Sequence, residues 1–337
     1  MLSDNHYFIN GMHMDTGVNS VMMDDVMDYS IKNIKSWIRV CVLSLAVLFL
    51  GGCAGTTPSL VIPKTPPPAP IISPSPNVAV VLGGGGARGY AHIGVLMELQ
   101  KAHIPIDLVV GTSAGSLMGV LYADQGSAQA MADTAMQARF WDLADIAAFP
   151  AMGGVVRGYH LEKFLMKNLR AKMFSELSVP FVAVTTDLTT GETFPISSGP
   201  IPPAILASSA VPSVVKPVRL YGRVLVDGGI TDNVPVDVAR RFHPKIVIAV
   251  DVGTSLSDDM PNTAFGIAAR SYEITSDRLT NLQTKDADFV IHPEVGQVGM
   301  FDLSHELELV HAGQQAAYDM IPAIKQALKE NGIALSR

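Results

Sequence analysis

Ser113 stands at the centre of the sequence GTSAG, which has the G-x-S-x-G pattern of a nucleophile elbow. An apolar run, IDLVV at 106–110, precedes this pattern, and a helical pattern from Ser116 to about Asp124 follows it. A sharp turn between a strand and a helix would hold the serine hydroxyl clear of neighbouring side chains. We therefore predict that Ser113 is a nucleophile, and the alternative is a serine that only caps the helix.

A second glycine-rich turn has the sequence GGGGARG at 83–89, between the apolar run Val78–Leu82 and a helical pattern over 90–102. Consecutive backbone N–H groups at the start of a helix attract negative charge, either a phosphate or an oxyanion that forms during a reaction. The dinucleotide pattern G-x-G-x-x-G fits these glycines, but no acidic residue stands about 20 positions later to bind a ribose. The Walker lysine is also missing, so we expect no nucleotide cofactor.

A serine nucleophile needs a base, and the candidates in this sequence are Asp227 and several histidines. Asp227 ends an apolar run and precedes two glycines, where another loop can approach closely. The alternative is an Asx turn, in which Asp227 only shapes its own backbone, and the sequence leaves both interpretations open. In an α/β-hydrolase triad, His292, His305 and His311 would be the candidate bases, although none stands in a distinctive loop motif.

The elements that must position these residues alternate between short apolar runs and helical patterns. This alternation is typical of an α/β fold with a buried parallel sheet. Polar residues 185–187 after the run 181–184 are predicted to form a loop near the site. Further strands are predicted at 224–226, 245–252 and 287–292, and amphipathic helices at 264–283 and 306–329.

Four ordered blocks together resemble the patatin-like phospholipases. They are GGGGARG with GVL at 94–96, GTSAG, ASSAVP at 207–212 with KPV at 216–218, and DGGITDNVPV at 227–236. The resemblance covers about residues 78–295. It implies a three-layer α/β/α sandwich with a mainly parallel central sheet.

The resemblance also implies roles for single residues. Ser113 would be the nucleophile and Asp227 the base of a dyad that lacks histidine. Arg88 would stabilise the glycine turn or the developing charge. The resemblance implies neither a metal nor a cofactor. The oxyanion hole would be formed by the backbone N–H groups of Gly84, Gly85 and Gly86.

The activity that the resemblance implies is hydrolysis of an acyl ester in a phospholipid or lysophospholipid. Thioester hydrolysis or acyl transfer at the same site, and a non-catalytic envelope lipoprotein that keeps the fold, remain alternatives. The segment 128–169 would line an acyl pocket or form ordinary helix core. Its large apolar residues are Met131, Met136, Phe140, Trp141, Phe149, Met152, Phe164 and Met166.

The N-terminal region has the order of a secretory signal. Basic residues between 32 and 39 precede the uncharged run VCVLSLAVLFL at 40–50, and two glycines follow. This run is too short for a transmembrane helix, which needs about 20 residues. The sequence LGGC at 50–53 resembles the lipobox of bacterial lipoproteins, which implies that Cys53 carries a lipid anchor. In the same resemblance, Ala54 follows the cysteine where an aspartate would signal retention at the inner membrane. We therefore expect the protein to be anchored in the outer membrane, with its domain facing the periplasm.

These features divide the chain into three regions. Residues 1–52 are predicted to form the signal region. The residues before about 27 do not fit a signal peptide, and we interpret them as the result of a start codon assigned too far upstream. Residues 53–77 are predicted to form a lipid-anchored, proline-rich linker that holds the domain away from the membrane. Residues 78–337 are predicted to form the hydrolase domain.

Composition excludes other classes of protein. The chain has 337 residues, of which 48% are hydrophobic and 16% charged, so it can bury a core. Its formal net charge of −7 provides no basic field for a nucleic-acid backbone. The only two cysteines, Cys41 and Cys53, lie near the N-terminus, so neither a disulfide framework nor a cysteine metal cluster organises the domain.

Overall fold

The structure is a computed structural model that describes residue 65 and residues 75–138, 158–254 and 260–336. In these residues a central sheet contains eight strands, with the order β5-β6-β3-β2-β1-β7-β8 and with β4 also paired to β3. The strands are β1 (Val78–Leu82), β2 (Leu108–Thr112), β3 (Phe181–Asp187), β4 (Thr193–Ile196), β5 (Val218–Leu220), β6 (Arg223–Asp227), β7 (Ile246–Val250) and β8 (Phe289–Ile291).

Helices surround this sheet. They are α1 (Ala91–Lys101), α2 (Ala114–Gln125), α3 (Ala128–Ala135), α4 (Tyr159–Asn168), α5 (Ile201–Ser208), α6 (Val236–Arg240), α7 (Ala264–Gln283) and α8 (Glu306–Glu330). Short 3₁₀ turns at Gly86–Tyr90 and Gly228–Ile230 follow the first and sixth strands. Among the residues that the structure describes, no helix is both long and apolar enough to cross a membrane.

The sheet is mainly parallel, as predicted. Strands β3, β2, β1, β7 and β8 run in one direction, whereas β4 and β6 are antiparallel to β3 and β5 is antiparallel to β6. Every residue of β1 and β7 is buried. This explains their continuous apolar sequences, because a parallel sheet is covered on both faces.

Side chains that alternate along the strands face different helical layers. Val81, Val110 and Val184 belong to a core cluster that includes residues of α6. The intervening residues Leu82 and Val109 approach Gly119 of α2 instead. Helices therefore cover both faces, and the predicted α/β/α fold is confirmed.

The strand register brings three chain segments to one edge of the sheet. Leu82 at the end of β1 pairs with Gly111 of β2, so the glycine turn and Ser113 leave the sheet together. Thr112 pairs with Val184, and the next residue of β3, Thr185, pairs with Asp227. Ser113 and Asp227 therefore lie at the same level of the sheet, with β3 between them.

Two local predictions are corrected by the structure. The second strand runs over Leu108–Thr112 rather than 106–110, because the Asp107 carboxylate accepts hydrogen bonds from the backbone N–H groups of Asn77 and Val78 and ends the preceding loop. Residues 185–187 are not a loop but the buried end of β3. They continue the strand because β4 and β6 both pair with this part of it.

Several predictions lie outside the described residues. These are the signal segment 1–52, the lipidation site Cys53 and most of the linker 53–77. In the segment 128–169 the structure describes Met131, Met136, Phe164 and Met166. The remaining large apolar residues of that segment fall between 139 and 157, which is also outside the described part: Phe140, Trp141, Phe149 and Met152.

Candidate active site

Ser113 occupies a strained turn between β2 and α2. Its backbone has φ 53° and ψ −120°, a combination that non-glycine residues rarely adopt. Hydrogen bonds hold the turn at both ends. The N–H of Ser113 donates to Ser208 Oγ at 3.1 Å, and its carbonyl oxygen accepts from the N–H and the hydroxyl of Ser116 at 2.9 and 2.7 Å. The strain is therefore maintained by the surrounding structure.

The glycines on either side of Ser113 allow this turn to form. A Cβ atom at Gly115 would lie 2.0 Å from the carbonyl oxygen of Leu82, and one at Gly111 would lie 2.4 Å from the carbonyl oxygen of Gly115. Neither position has room for a side chain. The G-x-S-x-G pattern thus reflects close contact between the end of β1 and the start of α2.

Asp227 is fully buried at the end of β6. Its Oδ1 atom accepts hydrogen bonds from the Gly229 N–H at 2.8 Å and from the Tyr272 hydroxyl at 3.0 Å. Its Oδ2 atom has no partner with standard hydrogen-bond geometry in the described part of the chain. Burial raises the pKa of Asp227 to about 6, and hydrogen bonding by Ser113, Gly229 and Tyr272 opposes that rise.

The side chain of Ser113 neighbours the Asp227 carboxyl group and lowers its pKa, although the two groups do not form a hydrogen bond with standard geometry. Nucleophile–base contacts are often long in the absence of substrate. Gly228 allows the backbone after Asp227 to pass close to β2 and β3. A Cβ atom at this position would lie 2.5 Å from the carbonyl oxygen of Val184 and 3.1 Å from Thr112 Cγ2. The structure thus brings together the predicted serine and aspartate.

The glycine turn lies against Ser113, but its three predicted oxyanion donors are not equivalent. A Cβ atom at Gly84 would lie 3.2 Å from Ser113 Cβ. The N–H of Gly84 nevertheless donates to the carbonyl oxygen of Asn233 at 3.1 Å, so we correct the expectation that it is a free donor. In the described part of the chain, no acceptor binds the N–H groups of Gly85 and Gly86.

Arg88 lies in the wall of the site. It is 6% exposed, and its guanidinium group donates to the carbonyl oxygen of Val298 at 3.3 Å and lies 3.7 Å from Glu273 Oε1. Burial lowers the pKa of Arg88, and the neighbouring carboxylates of Glu273 and Asp251 oppose this effect. These contacts link the glycine turn to α7 and to the segment that contains Val298.

Two cavities meet at Ser113. One, of about 290 Å³, is lined about equally by polar and apolar atoms and carries charged side chains of both signs. The other, of about 200 Å³, is mainly apolar. Ala135, Ala138, Leu161 and Phe164 from the predicted acyl-pocket segment line the apolar cavity. By contrast, Met131 is core, and Met136 and Met166 are exposed.

The three candidate histidines lie away from Ser113. His292 contacts Asp251, His305 contacts Asp302 and Glu308, and His311 contacts Gln314. None of the three lines either cavity that contains Ser113. The arrangement provides a carboxyl group rather than an imidazole beside the serine.

Sequence reasoning missed two contributors to the site. Tyr272 donates to Asp227 from α7, 45 positions later in the chain, and nothing in the amphipathic pattern of α7 distinguishes it. Ser208 fixes the elbow by accepting from Ser113 while donating to the Val184 carbonyl oxygen at 2.6 Å. Its position in the ASSAVP block was the one available signal.

Comparison with known proteins gives a consistent result. Residues 80–240 match the family model described as patatin-like phospholipase. The patatin-like phospholipase domain-containing protein 6 of Mus musculus is 35% identical over 193 residues, which are 55% of this chain and 14% of that protein. The lysophospholipase NTE1 of Mycosarcoma maydis is 35% identical over 195 residues, which are 56% of this chain and 10% of that protein. This chain thus spans a small part of these relatives.

A solved structure with a similar fold is VipD from Legionella pneumophila. It is 14% identical, with a TM-score of 0.50, and the match covers 80% of this chain and 72% of VipD. At this level of identity the similarity concerns the fold alone.

Proposed function

Because residues 80–240 of this chain are a patatin-like phospholipase domain, we propose that the protein is a serine hydrolase of lipid acyl esters that uses a Ser113–Asp227 dyad. The observation that carries this proposal is the strained turn that holds Ser113 beside the buried carboxyl group of Asp227. A carboxylate with a raised pKa is a stronger base than an ordinary aspartate and can still ionise near neutral pH.

In the proposed reaction, Ser113 Oγ attacks the ester carbonyl carbon while its proton passes to Asp227. The carbonyl oxygen becomes an oxyanion, and the N–H groups of Gly85 and Gly86 stabilise it. When the tetrahedral intermediate collapses, the C–O bond to the alcohol breaks and Asp227 returns the proton to the leaving oxygen. Water then attacks the acyl-enzyme, gives a proton to Asp227, and releases the fatty acid as the proton returns to Ser113.

The two cavities support an amphipathic substrate. The apolar cavity, lined by Leu117, Leu121 and Phe164 among others, suits an acyl chain. The cavity that carries charged side chains includes cationic Arg88 and anionic Asp251, and so suits a headgroup that carries both charges. A lysophospholipid is the proposed substrate, because the apolar cavity at Ser113 suits one acyl chain and the relative NTE1 of Mycosarcoma maydis is named a lysophospholipase.

The proposed location is the cell envelope, with a lipid anchor at Cys53 and the domain on the periplasmic face of the outer membrane. The sequence LGGC after an apolar run, followed by Ala54 and a proline-rich linker, supports this location. Metabolic labelling with a fatty-acid analogue, lost in Cys53→Ser, would test the anchor.

We expect release of fatty acid and glycerophosphocholine in equal amounts from lysophosphatidylcholine. The protein should act on this substrate with a higher kcat/KM than on a diacyl phosphatidylcholine or an acyl thioester of the same chain length. Mass spectrometry of the products measures all three reactions. A clear preference for the thioester would instead indicate a thioesterase, and transfer to an added alcohol would indicate an acyltransferase. If the folded protein cleaves none of them, a non-catalytic role is favoured.

The pH dependence of this reaction should follow the ionisation of Asp227. Only the ionised carboxylate accepts a proton, and burial raises its pKa to about 6. We therefore expect kcat/KM to be constant above neutral pH and to fall about tenfold per pH unit well below 6. A profile from pH 4.5 to 8.5 measures this limb. An acidic limb near pH 4 would show that the base is an exposed, unperturbed carboxylate rather than Asp227.

A further inference from the structure

One face of α7 carries a row of polar side chains that binds the segment after β6. Their spacing of four, four and three residues places them on one side of the helix. Each makes a hydrogen bond to residues 227–234, and the bond lengths are 2.9 to 3.1 Å. The four residues are Tyr272, Ser276, Thr280 and Gln283. This row lies outside the region that matches the family model.

Tyr272 is the member of this row that touches the Asp227 carboxyl group. A carboxylate oxygen has two lone pairs, and on Oδ1 the Gly229 N–H and the Tyr272 hydroxyl use both. Oδ2 is buried without a hydrogen-bond partner among the described residues. Oδ2 is therefore the oxygen with free capacity to accept a proton from Ser113.

The backbone beside Asp227 is shaped to admit the Tyr272 hydroxyl. A Cβ atom at Gly229 would lie 2.2 Å from the Tyr272 oxygen and 3.0 Å from Asn233 Oδ1. Ser276 reinforces the arrangement, because its hydroxyl donates to the carbonyl oxygen of Gly229 at 2.9 Å. The second glycine of the DGG block is thus a contact surface for α7.

We propose that Tyr272 is a positioning residue that occupies Oδ1 of Asp227 and so directs Oδ2 to Ser113. This proposal rests on the proposed Ser–Asp dyad. The Tyr272 hydrogen bond also favours the ionised carboxylate and lowers the pKa of Asp227 against the effect of burial. Burial raises the pKa of Tyr272 itself, so its hydroxyl stays a donor at any pH at which the enzyme would work. Ser113 is the other side chain that lowers the pKa of Asp227, and the charge of Arg88 lowers the pKa of Tyr272 against the effect of burial.

The test is the pH profile of Tyr272→Phe, which removes the hydroxyl and keeps the ring. Without this donor the pKa of Asp227 rises, so the acidic limb of kcat/KM should move up by about one pH unit. The value of kcat at neutral pH should fall several-fold with little change in KM. Tyr318→Phe is the matched control, because Tyr318 is 63% exposed on α8, and its profile should equal that of the wild type.

A second variant disturbs the same Tyr272–Asp227 hydrogen bond by a change in the backbone next to Asp227. Gly229→Ala keeps the tyrosine but pushes its hydroxyl away from Asp227, and it should move the limb in the same direction. If the wild type hydrolyses lipid esters and both folded variants keep its acidic limb, the role of Tyr272 is refuted. If the folded wild type neither hydrolyses these esters nor reacts with a fluorophosphonate, the dyad itself is refuted.

Discussion

Replacement of Asp227 by asparagine should lower kcat/KM for lysophosphatidylcholine by about 10²- to 10⁴-fold, which is the usual contribution of a general base. Asparagine has the same shape, and its Oδ1 can still accept from the Gly229 N–H and the Tyr272 hydroxyl. The group that replaces Oδ2 is an NH₂, which cannot accept a proton from Ser113. Steady-state kinetics at pH 8 measures the loss.

The fold should survive this substitution. Because burial raises the pKa of Asp227 to about 6, ionisation of this carboxyl group lowers folded-state stability once the pH exceeds its ordinary, lower pKa. Asparagine removes that charge, so the Tm of Asp227→Asn at pH 8 should equal or exceed that of the wild type. A lower Tm would indicate that lost activity reflects damage to the fold.

Asp232 provides a matched control on the same segment. It is also buried, and burial together with the neighbouring Asp237 carboxyl group raises its pKa to about 9. Its carboxyl group is therefore neutral at pH 7, and asparagine replaces one neutral group with another. Asp232→Asn should keep nearly full activity at pH 7. Equal losses in the two variants would contradict a specific role for Asp227.

The second large effect is expected for Ser113→Ala, which should lower hydrolysis by at least about 10³-fold, because loss of a nucleophile removes the covalent pathway. The hydrogen bonds that Ser113 makes to Ser208 and Ser116 come from its backbone, so alanine keeps them. The elbow should therefore persist with its strained φ. Assay of fatty-acid release measures the loss.

Ser271→Ala is the control for this variant. Ser271 is exposed on α7 and bonds to the carbonyl oxygen of Ile267 within its own helix, so its loss should leave activity unchanged. If Ser113→Ala keeps more than a tenth of the wild-type rate, another residue must be the nucleophile.

Some parts of the site could be predicted from the sequence, because a reactive residue and the glycines that shape its backbone lie within a few consecutive positions. GTSAG predicts a strained turn because its glycines must approach other backbone atoms, and the structure shows those approaches at Gly111 and Gly115. The apolar runs of β1 and β7 predict strands of a parallel sheet because both faces are covered. Such features depend on neighbours in the chain.

Other features depend on contacts between distant segments. The polar character of residues 185–187 predicts a loop, yet pairing with two further strands keeps them in β3. Nothing near Gly84 in the sequence indicates that its N–H bonds to Asn233. The role of Tyr272 likewise requires α7 to dock on the turn after β6. Local patterns contain no information about such partners.

Reaction with a fluorophosphonate, followed by mass spectrometry of the intact protein and its peptides, tests the central claim most directly. A serine activated by a neighbouring base should take up one phosphonyl group, and the modified peptide should contain Ser113. The rate of labelling should fall sharply in Asp227→Asn and labelling should be absent in Ser113→Ala. No adduct on the folded wild-type protein, or an adduct at a different residue, would contradict the proposal that Ser113 and Asp227 form a catalytic dyad.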